Sequence, residues 1–135
     1  MDVISWSSEY SVGIGGIDDQ HKKLVSILNA LLVSLNEDTD PKHISGLLKE
    51  LADYSIYHFD NEERYMKEFD YPLYAEHHKE HEDFKAKIMI FIDQYEKQEA
   101  MLTVDLLEFV WNWLKGHIAG TDKKYSAFFR EHGLK

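Results

Sequence analysis

Seven residues of this 135-residue chain have types and spacings that could do metal chemistry: His21, His58, Glu62, His77, His81, His117 and Asp122. His58 and Glu62 bound the stretch "HFDNE", His77 and His81 bound "HHKEH", and His117 and Asp122 bound "HIAGTD". Imidazole nitrogens and carboxylate oxygens without sulfur suit iron, manganese, zinc or copper. The chain has no cysteine, which excludes disulfides, thiolate nucleophiles, iron–sulfur clusters and cysteine zinc sites. Five imidazoles and two carboxylates exceed the needs of one ion, so two metals are implied, with the carboxylates placed to bridge them. The i, i+4 pair His77 and His81 can grip one ion from a single helical face, with His117 completing its nitrogens. His21 and His58 remain for the other, which then has one protein ligand fewer and an open position for a small molecule.

Helices must position these groups. Apolar residues recur at steps of three and four in four segments. The first runs Ile17, position 21, Leu24, Leu28, Leu31, Leu35; the second Ile44, Leu48, Leu51, Ser55, positions 58 and 62, Tyr65. The third runs Tyr74, positions 77 and 81, Phe84, Ile88, Phe91, Tyr95; the fourth Leu106 or Leu107, Val110, Leu114, position 117. The candidate ligands interrupt these seams where a core residue is required. Pro41 after Asp40, Pro72 after Asp70, and Thr103 mark helix starts. The reading is a single domain, all-α: an up-down-up-down antiparallel four-helix bundle with helices over about 18–37, 41–68, 72–98 and 103–119. A short C-terminal helix spans about 121–131. Residues 1–17, with Trp6, Tyr10, Val12 and Ile14 but no helical period, form an extended arm packed over one end.

A lone histidine in a seam is ordinarily a core histidine with its hydrogen bonds satisfied. Five with a glutamate are different, since each unpartnered buried polar group costs about 1–3 kcal/mol against a total stability of roughly 5–15 kcal/mol. Counting along the helices places them at one height: about 22 Å back to His21, 25 Å forward to His58, 24 Å back to His81 and 21 Å forward to His117. Asp122 falls one residue late, turned about 140° from His117 on an α-helix. A one-residue bulge or a break at Gly120 returns it to the site; the plainer alternative is that it caps the short terminal helix. His43, His78 and His132 lie off the seams and are expected in solvent.

The formal net charge of −10 argues against nucleic acid and anionic membrane surfaces. No stretch is long enough for a membrane span, and the start "MDVISWSSEY" lacks a signal-peptide pattern. A cytoplasmic protein is the expectation.

The lone histidine after "DDQ", then "HFDNE", "HHKEH" and "HIAGTD", resembles the hemerythrin family. The arm "WSSEYSVGIGGIDDQH" and the junction "EERYMKEFDYPLYAEH" are similar to its bacterial branch, the bacteriohemerythrins, and the resemblance covers about residues 6–130. It implies reversible dioxygen binding at a non-haem di-iron centre: two irons per chain, one on His77, His81 and His117, the other on His21 and His58. Glu62, Asp122 and an oxo or hydroxo group would bridge them, with dioxygen bound at the iron that has two histidines. Leu24, Phe59, Trp113 and Leu114, each within a turn of a ligand, are candidates to line a dry pocket, Leu114 being the one the resemblance best supports. Gln20 and Tyr125 are candidates to support the ligands from behind.

A carrier is expected rather than an enzyme, with weak oxidase activity through autoxidation. A histidine-rich core is more positive than a carboxylate-rich one, which disfavours high-valent iron. The expected partners are dioxygen and an oxygen-consuming enzyme or redox protein. The competing readings are a di-iron oxidase, an enzyme handling peroxide or nitric oxide, and a dioxygen or redox sensor. Ferritin-like oxidases use Glu-x-x-His pairs, whereas the pairs here are HxxxE and HxxxH.

Overall fold

The computed structural model describes residues 2–37 and 40–135; Met1 of the arm and residues 38–39 of the first connection lie outside them. Its helices are α1 (Gly15–Asn36), α2 (Pro41–Glu68), α3 (Tyr74–Glu96), α4 (Val104–Gly116) and α5 (Lys123–Glu131). A 3₁₀ turn covers Ser8–Tyr10, and a π-helical segment, His117–Asp122, joins α4 to α5 without interruption. No strand occurs among the described residues.

Local chemistry sets most of the ends. Asp40 caps α2, its carboxylate accepting from the Lys42 amide at 2.9 Å with Pro41 in the first turn. Thr103 caps α4 by accepting from the Leu106 amide at 3.2 Å. Three helices finish in the same left-handed motif. After α2, Tyr71 N–H reaches Met66 O at 2.8 Å across Asp70, whose φ is 53°. After α3, Glu99 N–H reaches Gln94 O at 2.8 Å across Gln98 (φ 61°), and after α5, Leu134 N–H reaches Phe129 O at 3.1 Å across Gly133 (φ 95°).

Asp70 therefore ends α2 instead of capping α3, and Pro72 lies in the turn ahead of α3, which starts at Tyr74. α1 starts at Gly15, three residues earlier than the apolar pattern suggests. The Asp18 carboxylate stabilises that earlier turn, accepting from the Ser11 hydroxyl at 2.6 Å and the Val12 amide at 2.8 Å.

The four long helices form an antiparallel bundle in which α1 packs on α2, α2 on α3, and α4 on α1. The backbones of α3 and α4 approach less closely, and Phe84 stacked on Trp113 (centroids 4.2 Å apart) fills the space between them. Two apolar clusters result. A large, mainly aliphatic core includes Leu24, Leu28, Leu31, Leu48, Leu51, Phe84, Leu107, Val110 and Leu114. A smaller cluster joins Val12, Ile14 and Ile17 to Met66, Tyr71, Tyr125 and Phe129. The arm lies along the bundle as well as over its end: the Asn29 side chain pairs with both backbone groups of Ile4, at 2.8 and 2.9 Å. Trp6, Tyr10 and Trp111 meet edge to face. Along every helix the seam histidines and acids fall between residues of the two clusters, so a polar layer is sandwiched by apolar ones.

Candidate metal centre

α1 brings His21 into this layer, α2 His58 and Glu62, α3 His77 and His81, and the π-helical segment His117 and Asp122. All seven are buried, none more than 3 % exposed. Residues five apart do not share a face of an α-helix, but the wider π turn aligns them. His117 Nε2 accordingly lies 3.0 Å from Asp122 Oδ1, and the chain passes Gly120 without a break.

The donor atoms converge in two overlapping groups, each with all its atoms within 4.8 Å of one another. One comprises His77, His81, His117, Glu62 and Asp122; the other His21, His58, Glu62 and Asp122. Asp122 meets His77 Nε2 at 2.8 Å through Oδ1 and His21 Nε2 at 3.0 Å through Oδ2. Glu62 Oε1 lies 2.8 Å from His58 Nε2 and 3.8 Å from His81 Nε2. The two carboxylates are thus common to both groups.

The far sides of several rings are held by other side chains. His81 Nδ1–H donates to Glu63 Oε2 at 2.8 Å, and His58 Nδ1–H donates to Gln20 Oε1 at 2.7 Å. Asn61 donates to the same Gln20 oxygen at 3.3 Å. With those protons on Nδ1, the Nε2 lone pairs point inward. His81 Nε2 then faces His117 Nε2 at 3.0 Å, and His58 Nε2 faces a carboxylate oxygen. Inward-facing imidazole nitrogens set among carboxylate oxygens are a donor set that a cation would satisfy together. Several buried atoms of the layer also lack any properly oriented hydrogen-bond partner: both nitrogens of His21, His77 Nε2, Glu62 Oε1 and both oxygens of Asp122. Buried groups of this kind are costly unless something satisfies them together. The residues present fit a pair of metal ions with nitrogen and oxygen ligands.

The site's charges point the same way. Burial would raise the Asp122 carboxyl, but His117, His21 and His77 hold it well below the usual range. Burial opposes charge on His117, yet Asp122, Glu80 and Glu62 push it up to about 10. Burial dominates at His81 and lowers it, leaving a neutral imidazole. Tyr125 is driven well above its ordinary value by burial and by Asp122 and Glu62. Its hydroxyl donates to Glu62 Oε2, and its ring stacks on His77.

Phe59 stacks on His81 with centroids 4.0 Å apart, and Trp113 stacks on His117 at 4.6 Å. Leu24 and Leu114 are fully buried one turn from His21 and His117. Among the other histidines, His43 and His132 are exposed, but His78 is only half-exposed and donates to Glu63. Glu63 escapes a reading of seams because it sits one residue beyond Glu62, off the apolar stripe. The available signal is the paired offset: an acid directly after one candidate ligand in "HFDNEE" and a histidine directly after another in "HHKEH". Glu80, just before His81, is a second such acid, 3.7 Å from His117 Nδ1 and bonded by the Thr121 hydroxyl at 3.1 Å.

A four-helix bundle with a buried layer of histidines and shared carboxylates defines a metal-binding helical protein. Comparison with known proteins makes that class specific. The family model described as the Hemerythrin HHE cation binding domain matches residues 12–129. A bacteriohemerythrin of Clostridium acetobutylicum is 33% identical over 124 residues, covering 89% of this chain and 96% of that one. A bacteriohemerythrin of Stenotrophomonas maltophilia is 29% identical over 132 residues, covering 98% and 85%. The crystal structure of a wild-type hemerythrin superposes with a TM-score of 0.86 at 30% identity, covering 93% of this chain and 97% of that one. A leucine-to-alanine variant of hemerythrin superposes at 0.87 with 29% identity, covering 94% and 97%. The chain belongs to the hemerythrin family.

Proposed function

We propose that this protein binds dioxygen reversibly at a di-iron centre within the bundle, as a carrier or store and not as an enzyme. His77, His81 and His117 would hold one iron and His21 and His58 the other, with Glu62, Asp122 and an oxo or hydroxo group shared between them. Such a centre, when bound, supplies reversible two-electron chemistry toward dioxygen. The observation that carries the reading is the convergence of five histidines on two shared carboxylates in a layer sealed by apolar residues on both sides.

The chain's own residues suit binding and release. Buried Leu24, Phe59 and Leu114, with half-buried Trp113 stacked on His117, would surround the ligands with apolar surface and limit water, which resists protonation and loss of reduced oxygen. Tyr125 fixes the Glu62 carboxylate, while Gln20 and Glu63 fix the rings of His58 and His81. Imidazole predominates over carboxylate, so the site donates less negative charge than a ferritin-like one and favours returning electrons over driving oxidation. The similarity to bacteriohemerythrins supports the same reading. A cytoplasmic location and exchange of dioxygen with an oxygen-consuming enzyme or a redox protein belong to this proposal. No helix among the described residues is long and apolar enough to cross a membrane.

An iron assay combined with absorbance spectra through repeated oxygenation and deoxygenation tests it. Two irons per chain and a visible band that returns over several cycles are expected. Irreversible bleaching with turnover of an added reductant would assign the site to an oxidase instead.

A further inference from the structure

The two histidine groups are supported unequally. Behind His81 stands Glu63, itself buried, with its second oxygen bonded by His78 Nδ1–H and by the Tyr74 hydroxyl at 3.3 Å. Tyr74 stacks on His78 at 5.5 Å, and Phe59 covers the His81 ring. Glu63 is therefore clamped from both sides. Glu80 adds a second, more distant negative charge behind His117. His58 has only the neutral amide oxygen of Gln20 behind it, and His21 Nδ1 has no partner. The carboxylates that His21, His58 and His77 meet lie on their Nε2 side, the side facing the centre.

An imidazole that donates to a carboxylate is a more basic metal ligand than one that donates to an amide, and its ring is held in one orientation. We infer that Glu63, clamped by His78, is a positioning residue that makes the His77–His81–His117 group the tighter of two metal positions and the first to fill. The inference rests on the two-metal reading above. It gives His78 a role that its place off the seam hides.

Titration of metal-free protein with cobalt(II), anaerobically and against a competing chelator, separates the steps through visible absorbance. The wild type should take two equivalents, the first at least about tenfold tighter. Crystals grown with one equivalent should show anomalous density at His77, His81 and His117. Glu63→Gln should weaken the first step by about 10–100-fold with little change in the second. His78→Gln should weaken it in the same sense by less, and Gln20→Glu should strengthen the second step and narrow the gap. Equal weakening of both steps by Glu63→Gln, or first occupancy at His21 and His58, would overturn the inference. Two equivalents of equal affinity would overturn the inference and leave the two-metal reading standing, whereas one equivalent in total would overturn both.

Discussion

The two apolar layers that enclose the layer of histidines and carboxylates are built differently. The large core on one side is mainly aliphatic and comes from the interiors of four long helices. The layer on the other side is rich in aromatic rings and comes from chain segments far apart in sequence: the arm, the last turn of α2, the turn before α3, and α5. In the first, each helix contributes several consecutive turns, so losing one contact leaves its neighbours in register. In the second, Tyr125, Phe129, Tyr65, Phe69 and Tyr71 pack mutually at centroid distances of 4.3–6.5 Å, and the C-terminal end of the chain takes part through Leu134. Chain ends are where local opening costs least. The aromatic layer is accordingly the side from which the site should open to water, and the aliphatic core the side that holds the bundle together.

This contrast is open to test. Phe129→Ala, which removes a fully buried ring, should cost about 3–5 kcal/mol in denaturant unfolding and speed metal release to a chelator. Leu31→Ala in the aliphatic core should cost about 2–5 kcal/mol while leaving that release rate nearly unchanged; equal acceleration in both would erase the distinction. Tyr125→Phe should cost about 1.5–3 kcal/mol, because a charged acceptor, Glu62, loses its buried donor, and should alter the visible spectrum of the loaded protein. Gly13 has φ 75°, and a Cβ there would come within 3.4 Å of the Arg130 side chain, so Gly13→Ala should cost about 1–2 kcal/mol and loosen the arm, seen as faster amide exchange at Val12. Smallest of all, Thr103→Ala removes the α4 cap at the opposite end of the bundle. A loss of about 1 kcal/mol without any change in metal release is expected.

Much of this organisation can be read in the chain. The period of three and four is a local property, and with the Asp40–Pro41 and Thr103 caps it specifies four helices and their inward faces. Polar residues standing where the stripe demands apolar ones mark the ligand layer, because burying them singly would be too costly. The off-register spacing of His117 and Asp122 even announces an irregular turn. Other features are not local. The carboxylate of Asp18 reaching back to Ser11 and Val12 sets the start of α1, and a left-handed Asp70 ends α2 where sequence suggests the cap of α3. Neither follows from periodicity.

The residue types and their helical spacing thus settle which groups line the bundle interior and roughly at what height. The path through Gly120 is different: whether the chain bulges or breaks there depends on packing, and the π-helical segment that carries Asp122 back to His117 forms in the tertiary context. The unequal backing of the rings, Glu63 behind His81 and Gln20 behind His58, is likewise invisible to a one-dimensional pattern. Those partners come from neighbouring helices and sit beside the stripe, where sequence alone cannot distinguish a solvated acid from one buried against a histidine.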